Sequence, residues 1–336
     1  MKKINLAING FGRIGRAVFK AMWLKFPQIR VVAINDLTDP ATLAYLLKHD
    51  SCYGASRQKI TAAKDALIIN GRRLPVLAIK DPLALPWQPL KVDLVLECTG
   101  RFRTKIELKA HLKAGAKKVI LSAPAKDGGV KTIVLGVNDK QLRKSDRLLS
   151  CASCTTNCLA PVTKVVKDNF GIKKALMSTV HSYTADQNLV DGPHKDFRRA
   201  RAAAINIIPT TTGAALATTL TIPALKGKFD GLAVRVPTPI GSLCDTVYVL
   251  KKKTSVAAVN HAFLKAARGP LKNILEASKE ELVSTDIIGN AKSAIIDLNN
   301  TRLIGGDFLK VISWYDNEWG YANRLAELAD RVRKLT

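Results

Sequence analysis

Acidic residues are scarce. Only 27 Asp and Glu stand against 53 Lys and Arg in 336 residues, which leaves a formal net charge of +26. A chain so poor in carboxylates suits anionic ligands, and the same excess fits nucleic acid or a membrane surface. The distribution argues against a dedicated partner of either kind. Residues 1–153 carry 28 basic and 11 acidic residues, but the longest pure basic run is Lys251 to Lys253. There is no basic tail, zinc-finger spacing or aromatic RNA-binding signature, so a solvated basic surface explains the count more simply. No apolar run is long enough to span a membrane. Lys2-Lys3 precedes only five apolar-rich residues before Asn9-Gly10, far short of a secretory signal core, and the expected compartment is the cytoplasm. Without an export signal, the six cysteines read as thiols rather than a disulfide framework. Cys52, Cys98 and Cys244 are expected to be packing residues. Internal repeats and low-complexity segments are lacking too.

The length suits two domains of ordinary size. In the first half, β-branched runs at Ile4–Asn9, Val31–Asn35, Val92–Glu97 and Val119–Ser122 alternate with helical patterns such as Arg13–Phe26. That alternation predicts an α/β fold with a parallel sheet covered on both faces. After residue 154 the strands lengthen, as at Leu232–Val236 and Thr246–Leu250, and predict an α+β domain with a mixed or antiparallel sheet. From about Asn317 an amphipathic helix carries Leu325, Leu328 and Val332 on one face.

Several stretches carry chemistry. Gly10-Phe11-Gly12-Arg13-Ile14-Gly15 lies between the first strand and the first helix, where a dinucleotide pyrophosphate needs close backbone approach and a helix N-terminus. Asp36 ends the second strand twenty-one residues after Gly15, placed to accept from an adenosine ribose and to repel a 2′-phosphate, which favours NAD over NADP. Ser153-Cys154-Thr155-Thr156 reads as a helix start carrying a poised thiol. The helix dipole there predicts thiolate nearer neutral pH than a free cysteine, with Cys154 as nucleophile. His181 ends an apolar strand, and its spacing from Cys154 proves nothing about contact. Arg198, Arg199 and Arg201, with the Thr210-Thr211-Thr212-Gly213 turn, offer guanidinium forks, hydroxyls and an anion-friendly turn, or equally a solvated surface and a helix cap. Arg235 lies between Val234 and Val236 in a strand and requires a partner. Cys151 forms Cys-x-x-Cys with Cys154, but no second cysteine pair or histidine cluster accompanies it, so no metal site is expected. Small-residue packing is the favoured reading of Cys151, and a reversible disulfide with oxidised Cys154 the other.

Gly-Phe-Gly-Arg-Ile-Gly-Arg, Ala-Ser-Cys-Thr-Thr-Asn-Cys, Thr-Val-His-Ser-Tyr-Thr, Ile-Ile-Pro-Thr-Thr-Thr-Gly-Ala-Ala, Arg-Val-Pro-Thr-Pro and Trp-Tyr-Asp-Asn-Glu-Trp-Gly-Tyr occur in that order. Together they resemble the phosphorylating glyceraldehyde-3-phosphate dehydrogenase family, from Ile8 to about Leu328. The resemblance implies a Rossmann-type NAD-binding domain over residues 1–153, completed by a C-terminal helix at 317–336, around a catalytic domain at 154–316, and a homotetramer. It implies that Cys154 is the nucleophile and His181 the base. Thr184, Asp186, Arg199 and Arg235 would hold the phosphate of the triose phosphate substrate, and Ser153, Thr155, Thr212 and Gly213 inorganic phosphate. The cofactor NAD would be gripped by Gly10, Gly12, Arg13, Ile14, Gly15 and Asp36, by Lys80 near the adenine, by Thr99 and Ser122 at strand ends, and by Asn317 at the nicotinamide amide, with Tyr321 supporting the ring. Cys151, Cys98 and Lys80 depart from the expected pattern without removing a catalytic group. The rival reading is erythrose-4-phosphate dehydrogenase; Thr184, the Thr-Thr-Thr-Gly turn and Tyr315 favour the triose enzyme. A reading of another class, nucleic-acid or surface binding, has only the charge in its support.

Overall fold

A computed structural model describes residues 3–335 and divides them into two compact units. The first runs through Ile133, resumes at Lys140–Ala152 and ends with the chain from Ala322; the second comprises Val134–Asp139 and Ser153–Tyr321.

In the first unit the strands are β1 (Ile4–Asn9), β2 (Ile29–Asn35), β3 (Ile60–Ala63), β4 (Ala66–Ile69), β5 (Arg72–Leu77), β6 (Leu94–Glu97), β7 (Lys118–Leu121), β8 (Lys131–Thr132) and β9 (Leu148–Ser150), with helices α1 (Arg13–Lys25), α2 (Pro40–Lys48) and α3 (Lys105–Lys113). The nine strands form one sheet in the order β3-β4-β5-β2-β1-β6-β7-β9-β8. Pairing is parallel from β5 through β8 and antiparallel in the β3-β4-β5 edge. Residues such as Leu6, Ile8, Val95, Leu96, Val119 and Leu121 are fully buried, as a sheet covered on both faces requires. β1 lies between β2 and β6, so successive crossovers leave it in opposite directions and open a crevice at the carboxyl ends of the strands, where open α/β sheets bind ligands.

In the second unit α4 (Cys154–Phe170), β10 (Ile172–Ser182), β11 (Ile208–Thr211), α5 (Ala214–Thr221), β12 (Phe229–Val236), β13 (Ser242–Leu250), α6 (Val256–Arg268), β14 (Leu275–Ser278), β15 (Ala294–Asp297), β16 (Arg302–Ile304) and β17 (Phe308–Tyr315) follow in order. Their sheet runs β11-β12-β10-β13-β17-β15-β14, with β16 on β17. It is mixed: β10 pairs parallel with β12 and antiparallel with β13. Burial alternates along β13 and β17, the period-two signature of a sheet with one face on the core. The C-terminal helix α7 (Trp319–Leu335) starts two residues later than the sequence pattern suggests. Asp316 caps it through Oδ1, which accepts from the N–H groups of Glu318 and Trp319 at 2.9 and 2.7 Å.

Candidate active site and cofactor cleft

Cys154 is the first residue of α4. Ser153 precedes it as the N-cap, its hydroxyl accepting from the Thr156 N–H at 3.1 Å, so the thiol stands where a helix begins for a local, sequence-encoded reason. His181 sits near the end of β10. The parallel register of β10 and β12 makes Arg235 its Cα partner. The fold brings these three side chains together: Cys154 Sγ lies 3.4 Å from His181 Nε2, and Arg235 Nη1 lies 3.3 Å from His181 Nδ1.

Hydrogen-bond chemistry fixes the imidazole tautomer. Nδ1 is 2.7 Å from the Ser182 carbonyl oxygen, which only accepts, so Nδ1 carries the proton and Nε2 faces the thiol as an acceptor. Arg235 only donates as well; its approach to Nδ1 is proximity of two donors that share Ser182, and its Nη1 also donates to Thr184 Oγ1 at 2.7 Å. Burial, and next the Arg235 charge, push His181 down to about 3. Cys154 moves the opposite way from the sequence expectation. Burial pushes its thiol up from the ordinary value, while the Arg235 charge and the Thr155 N–H pull against it. Nε2 of His181 thus faces the sulfur as the acceptor for its proton.

A buried hydroxyl chain, which the sequence did not single out as part of the site, backs the pair. Tyr315, 1% exposed, lies 2.9 Å from both Thr155 Oγ1 and Thr179 Oγ1, and Thr179 donates to the Leu243 carbonyl at 3.0 Å. That last bond orders the chain, so Tyr315 donates to Thr179 and accepts from Thr155. The Tyr315 ring also meets His181 edge-on at 6.0 Å between centroids. The sequence marks Tyr315 as part of the Trp-Tyr-Asp-Asn-Glu-Trp-Gly-Tyr motif, but not its contacts with Thr155 and Thr179.

Thr184, Asp186, Arg199 and Arg235 form one connected cluster beside His181. Thr184 donates to Asp186, Arg199 Nη1 pairs with Asp186 Oδ2 at 2.8 Å, and Arg199 Nε donates to Thr210 Oγ1 at 2.9 Å. Burial would raise the Asp186 carboxyl, but the Thr184 hydroxyl and the charges of Arg235 and Arg199 hold it below its ordinary value. Arg235 Nε is buried with no hydrogen-bond partner among the described residues, a cost of about 1–3 kcal/mol that an anion would relieve. Thr212 and Gly213 lie in the turn into α5, where the Thr212 hydroxyl accepts from the Ala214 N–H and Gly213 is an N-cap without a side chain; their hydrogen bonds are local. Asn317 is buried, and its Oδ1 accepts from Gly241 N–H and Ser242 Oγ at 3.2 and 3.0 Å, so its Nδ2 remains a donor for a ligand. Tyr321 is buried in the first turn of α7.

The other expected residues lie beyond the carboxyl ends of β1, β2, β5, β6 and β7 in the first unit. Gly10 has φ +90°, and a Cβ there would lie 2.6 Å from the Thr99 nitrogen; a Cβ on Gly15 would lie 2.2 Å from the Gly10 oxygen. Both glycines are dictated by the chain's own packing. Around Gly12 a Cβ would meet nothing within 4 Å, and α1 has neither a side-chain cap nor an acidic residue in its first turn. A helix N-terminus with open space at its middle glycine fits a pyrophosphate. The Asp36 carboxylate is held by the N–H groups of Phe11 and Thr38 at 2.6 and 3.0 Å, and Ser122 N–H donates to the Glu97 carbonyl at 2.9 Å. Ile14 is half-buried and Lys80 exposed. Arg13 departs from a simple pyrophosphate grip: its guanidinium pairs with Asp50 at 3.1 Å and lies over the Tyr53 ring. Among the packing cysteines, burial pushes the Cys98 thiol up to about 12, Cys244 is fully buried and Cys52 is half-buried. Cys158 is buried with its sulfur 3.3 Å from Ser313 Oγ. Among the described residues no group of three or more His, Cys, Asp or Glu could hold a metal ion, and no helix is long and apolar enough to cross a membrane.

Residues 4–105 match the family described as "Glyceraldehyde 3-phosphate dehydrogenase, NAD binding domain", and residues 153–317 match its "C-terminal domain". The glyceraldehyde-3-phosphate dehydrogenase of Geobacillus stearothermophilus is 54% identical over 97% of this chain and 97% of its own. This chain belongs to the glyceraldehyde-3-phosphate dehydrogenase family. The Mycolicibacterium smegmatis member is 52% identical over 98% of this chain and 99% of its own, and that of Priestia megaterium 52% identical over 98% of each. The likeness covers both units, so the NAD-binding match falls on the strand ends around Gly10 and Asp36, and the C-terminal match on the cluster around Cys154 and His181.

Proposed function

We propose that the chain oxidises glyceraldehyde 3-phosphate to 1,3-bisphosphoglycerate with NAD and inorganic phosphate, through a thioester on Cys154. The observation that carries this reading is the 3.4 Å approach of Cys154 Sγ to the accepting Nε2 of His181, with Arg235, Thr184, Asp186 and Arg199 gathered beside it. His181 Nε2 takes the thiol proton as sulfur attacks the aldehyde carbon and returns it to the carbonyl oxygen, so the thiohemiacetal forms on Cys154 with Nε2 again unprotonated. His181 then accepts the hydroxyl proton. When bound, NAD supplies the hydride acceptor that makes the oxidation to a thioester possible. Arg235 and the Cys154 N–H at the start of α4 are the donors available to the oxyanion. The thioester is finally cleaved by phosphate, whose oxygen attacks the acyl carbon while Cys154 leaves as the thiolate and regains a proton.

The substrate phosphate would be held by Thr184, Asp186, Arg199 and Arg235, the aspartate acting by orienting Arg199 and Thr184. Inorganic phosphate would use Thr155, Thr212 and Gly213, where α5 begins without a capping side chain, with Ser153 holding the turn. For NAD, Gly10, Gly12, Ile14 and Gly15 would admit the pyrophosphate, Asp36 the ribose, Thr99, Ser122 and Lys80 the adenosine side, and Asn317 Nδ2 the carboxamide, above Tyr321. Arg13 would contribute while shared with Asp50. The Rossmann-type body would be residues 1–153 with the C-terminal helix at 317–336, and the catalytic body 154–316.

A homotetramer fits the second unit's sheet. Leu176, Leu232 and Phe308 are 66%, 45% and 47% exposed on it, an apolar face of the kind that oligomers cover. Light scattering at micromolar concentration tests this; a monomer would contradict it. The activity is tested by NADH formation with triose and tetrose phosphates, with and without inorganic phosphate. Turnover that needs the triose phosphate and inorganic phosphate supports the reading; preference for the tetrose phosphate would move it to erythrose-4-phosphate dehydrogenase.

A further inference from the structure

We propose that Glu97, the buried last residue of β6, is a positioning residue for cofactor binding: its carboxylate locks together the three strand ends that would receive NAD. The proposal rests on the NAD reading above and concerns Glu97, Asn9, Asn35 and His111, to which that reading gives no contact with the cofactor.

Glu97 and His111 are fully buried, Asn9 is 1% and Asn35 6% exposed. Glu97 Oε1 accepts from the Thr99 N–H at 2.8 Å and the Thr99 hydroxyl at 2.5 Å; Oε2 accepts from Asn9 Nδ2 at 2.6 Å and lies 3.0 Å from His111 Nε2. Each donor's orientation is forced from outside the carboxylate. Asn35 is fixed by the main chain of Ile79, donating to its carbonyl and accepting from its N–H, both at 2.9 Å. Its Nδ2 therefore faces Asn9 Oδ1 at 2.7 Å, which turns Asn9 Nδ2 toward Glu97. From the other side, the Trp87 indole N–H can only donate, and it lies 3.0 Å from His111 Nδ1. His111 thus carries its proton on Nε2 and donates it to Glu97. Four donors converge on one buried acceptor-only group, and an amide could not replace it, because its NH2 would face N–H groups that have no way to turn.

The Asn9–Asn35 and Thr99 arms end at cofactor loops, and His111 with Trp87 anchors the carboxylate from α3. Asn9 directly precedes Gly10, whose N–H donates to the Asn35 carbonyl at 2.8 Å; Asp36 follows Asn35 and donates its N–H to Leu77; Thr99 begins the turn after β6, its hydroxyl accepting from the Arg101 N–H at 3.1 Å. Ile79, which orients Asn35, directly precedes Lys80. A strand order alone would leave these turns free to shift by fractions of an ångström, and the network removes that freedom before a ligand arrives.

The test uses the full chain and two variants. Glu97→Gln keeps size and removes the acceptor; Asn9→Ala removes one arm and leaves no buried donor stranded on Glu97, so it is the gentler variant. NAD dissociation constants come from calorimetry, and hydrogen exchange is followed in the cofactor-free chain. Glu97→Gln should weaken NAD at least tenfold and Asn9→Ala at least threefold. Amides of Gly10–Arg13 and Thr99–Arg101 should exchange faster while those of Cys154–Phe170 are unchanged, and kcat at saturating NAD should stay within threefold. If Glu97→Gln does not fold, the Asn9→Ala result decides. A lower melting temperature with NAD affinity within twofold of the parent would overturn the proposal and leave the network a packing feature. Absence of NAD binding by the parent chain would instead overturn the NAD reading.

Discussion

Arg235 carries the most linked consequences of any single side chain, and its replacement by glutamine separates them. The substitution keeps the β12 pairing opposite His181 but removes a charge whose Nη1 lies 3.3 Å from His181 Nδ1, and two donor bonds, to Thr184 Oγ1 at 2.7 Å and to the Ser182 carbonyl at 3.1 Å. The charge favours the Cys154 thiolate and disfavours the His181 imidazolium. Without it, the thiol rises further and His181 is released upward. At an effective dielectric of about 20, a unit charge at about 4 Å is worth roughly 4 kcal/mol. Partial exposure reduces the share that reaches Cys154 to about 1–2 kcal/mol, or roughly a 5- to 30-fold loss of thiolate at fixed pH. A lost charge-assisted bond to a substrate phosphate costs a further 1.5–3 kcal/mol or so. Iodoacetamide alkylation of Cys154, followed against pH without substrate, should slow about tenfold at pH 7.5 in Arg235→Gln. Steady-state NADH formation should lose on the order of 10³-fold in kcat/KM. Arg235→Lys should restore part of the alkylation rate and little of kcat/KM, since one ammonium does not reproduce the fork. An unchanged alkylation rate together with kcat/KM within threefold of the parent would refute the electrostatic role of Arg235.

His181→Asn should lower turnover by about 10²- to 10⁴-fold while Cys154 remains alkylatable, measured by NADH formation and peptide mass. His181 also sets an acid limit. Its native value near 3 lies below the ordinary 6.5 or so, so between those values the unfolded chain binds the proton that the native chain refuses, and stability falls as pH drops from about 6.5 toward 3. The full shift corresponds to about 5 kcal/mol, and denaturant midpoints in this window should fall less steeply in His181→Asn. Gly10→Ala should destabilise the chain by more than about 2 kcal/mol because its Cβ would meet Thr99 main chain, whereas Gly12→Ala should melt within about 1 kcal/mol of the parent and still lose NAD affinity by calorimetry. Asp36→Ala should let NADP compete in initial-rate assays by removing a carboxylate that repels a 2′-phosphate.

What could be read from the sequence was what is local. The Gly10–Gly15 turn, Asp36 at a strand end and the Ser153 cap before Cys154 depend on neighbours within a few residues, and each occupies the element its pattern predicts. The His181–Arg235 pair was not legible, because it depends on a parallel register between strands 54 residues apart. Tyr315 was visible as a motif residue, but its place behind the site was not, because the sheet alone brings it against Thr155 and Thr179. The burial that pushes the Cys154 thiol up was not legible either, because a helix start is visible in sequence and desolvation is not. The Arg13 pairing with Asp50 was not legible, since Asp50 is 37 residues away.

The thioester on Cys154 is the central claim, and mass spectrometry of acid-quenched protein tests it most directly. Chain mixed with NAD and glyceraldehyde 3-phosphate, without inorganic phosphate, should gain one 3-phosphoglyceryl group on the peptide containing Cys154, and phosphate added before the quench should remove it. NADH formed in stoichiometric excess with no adduct, or an adduct confined to another cysteine, would contradict the account.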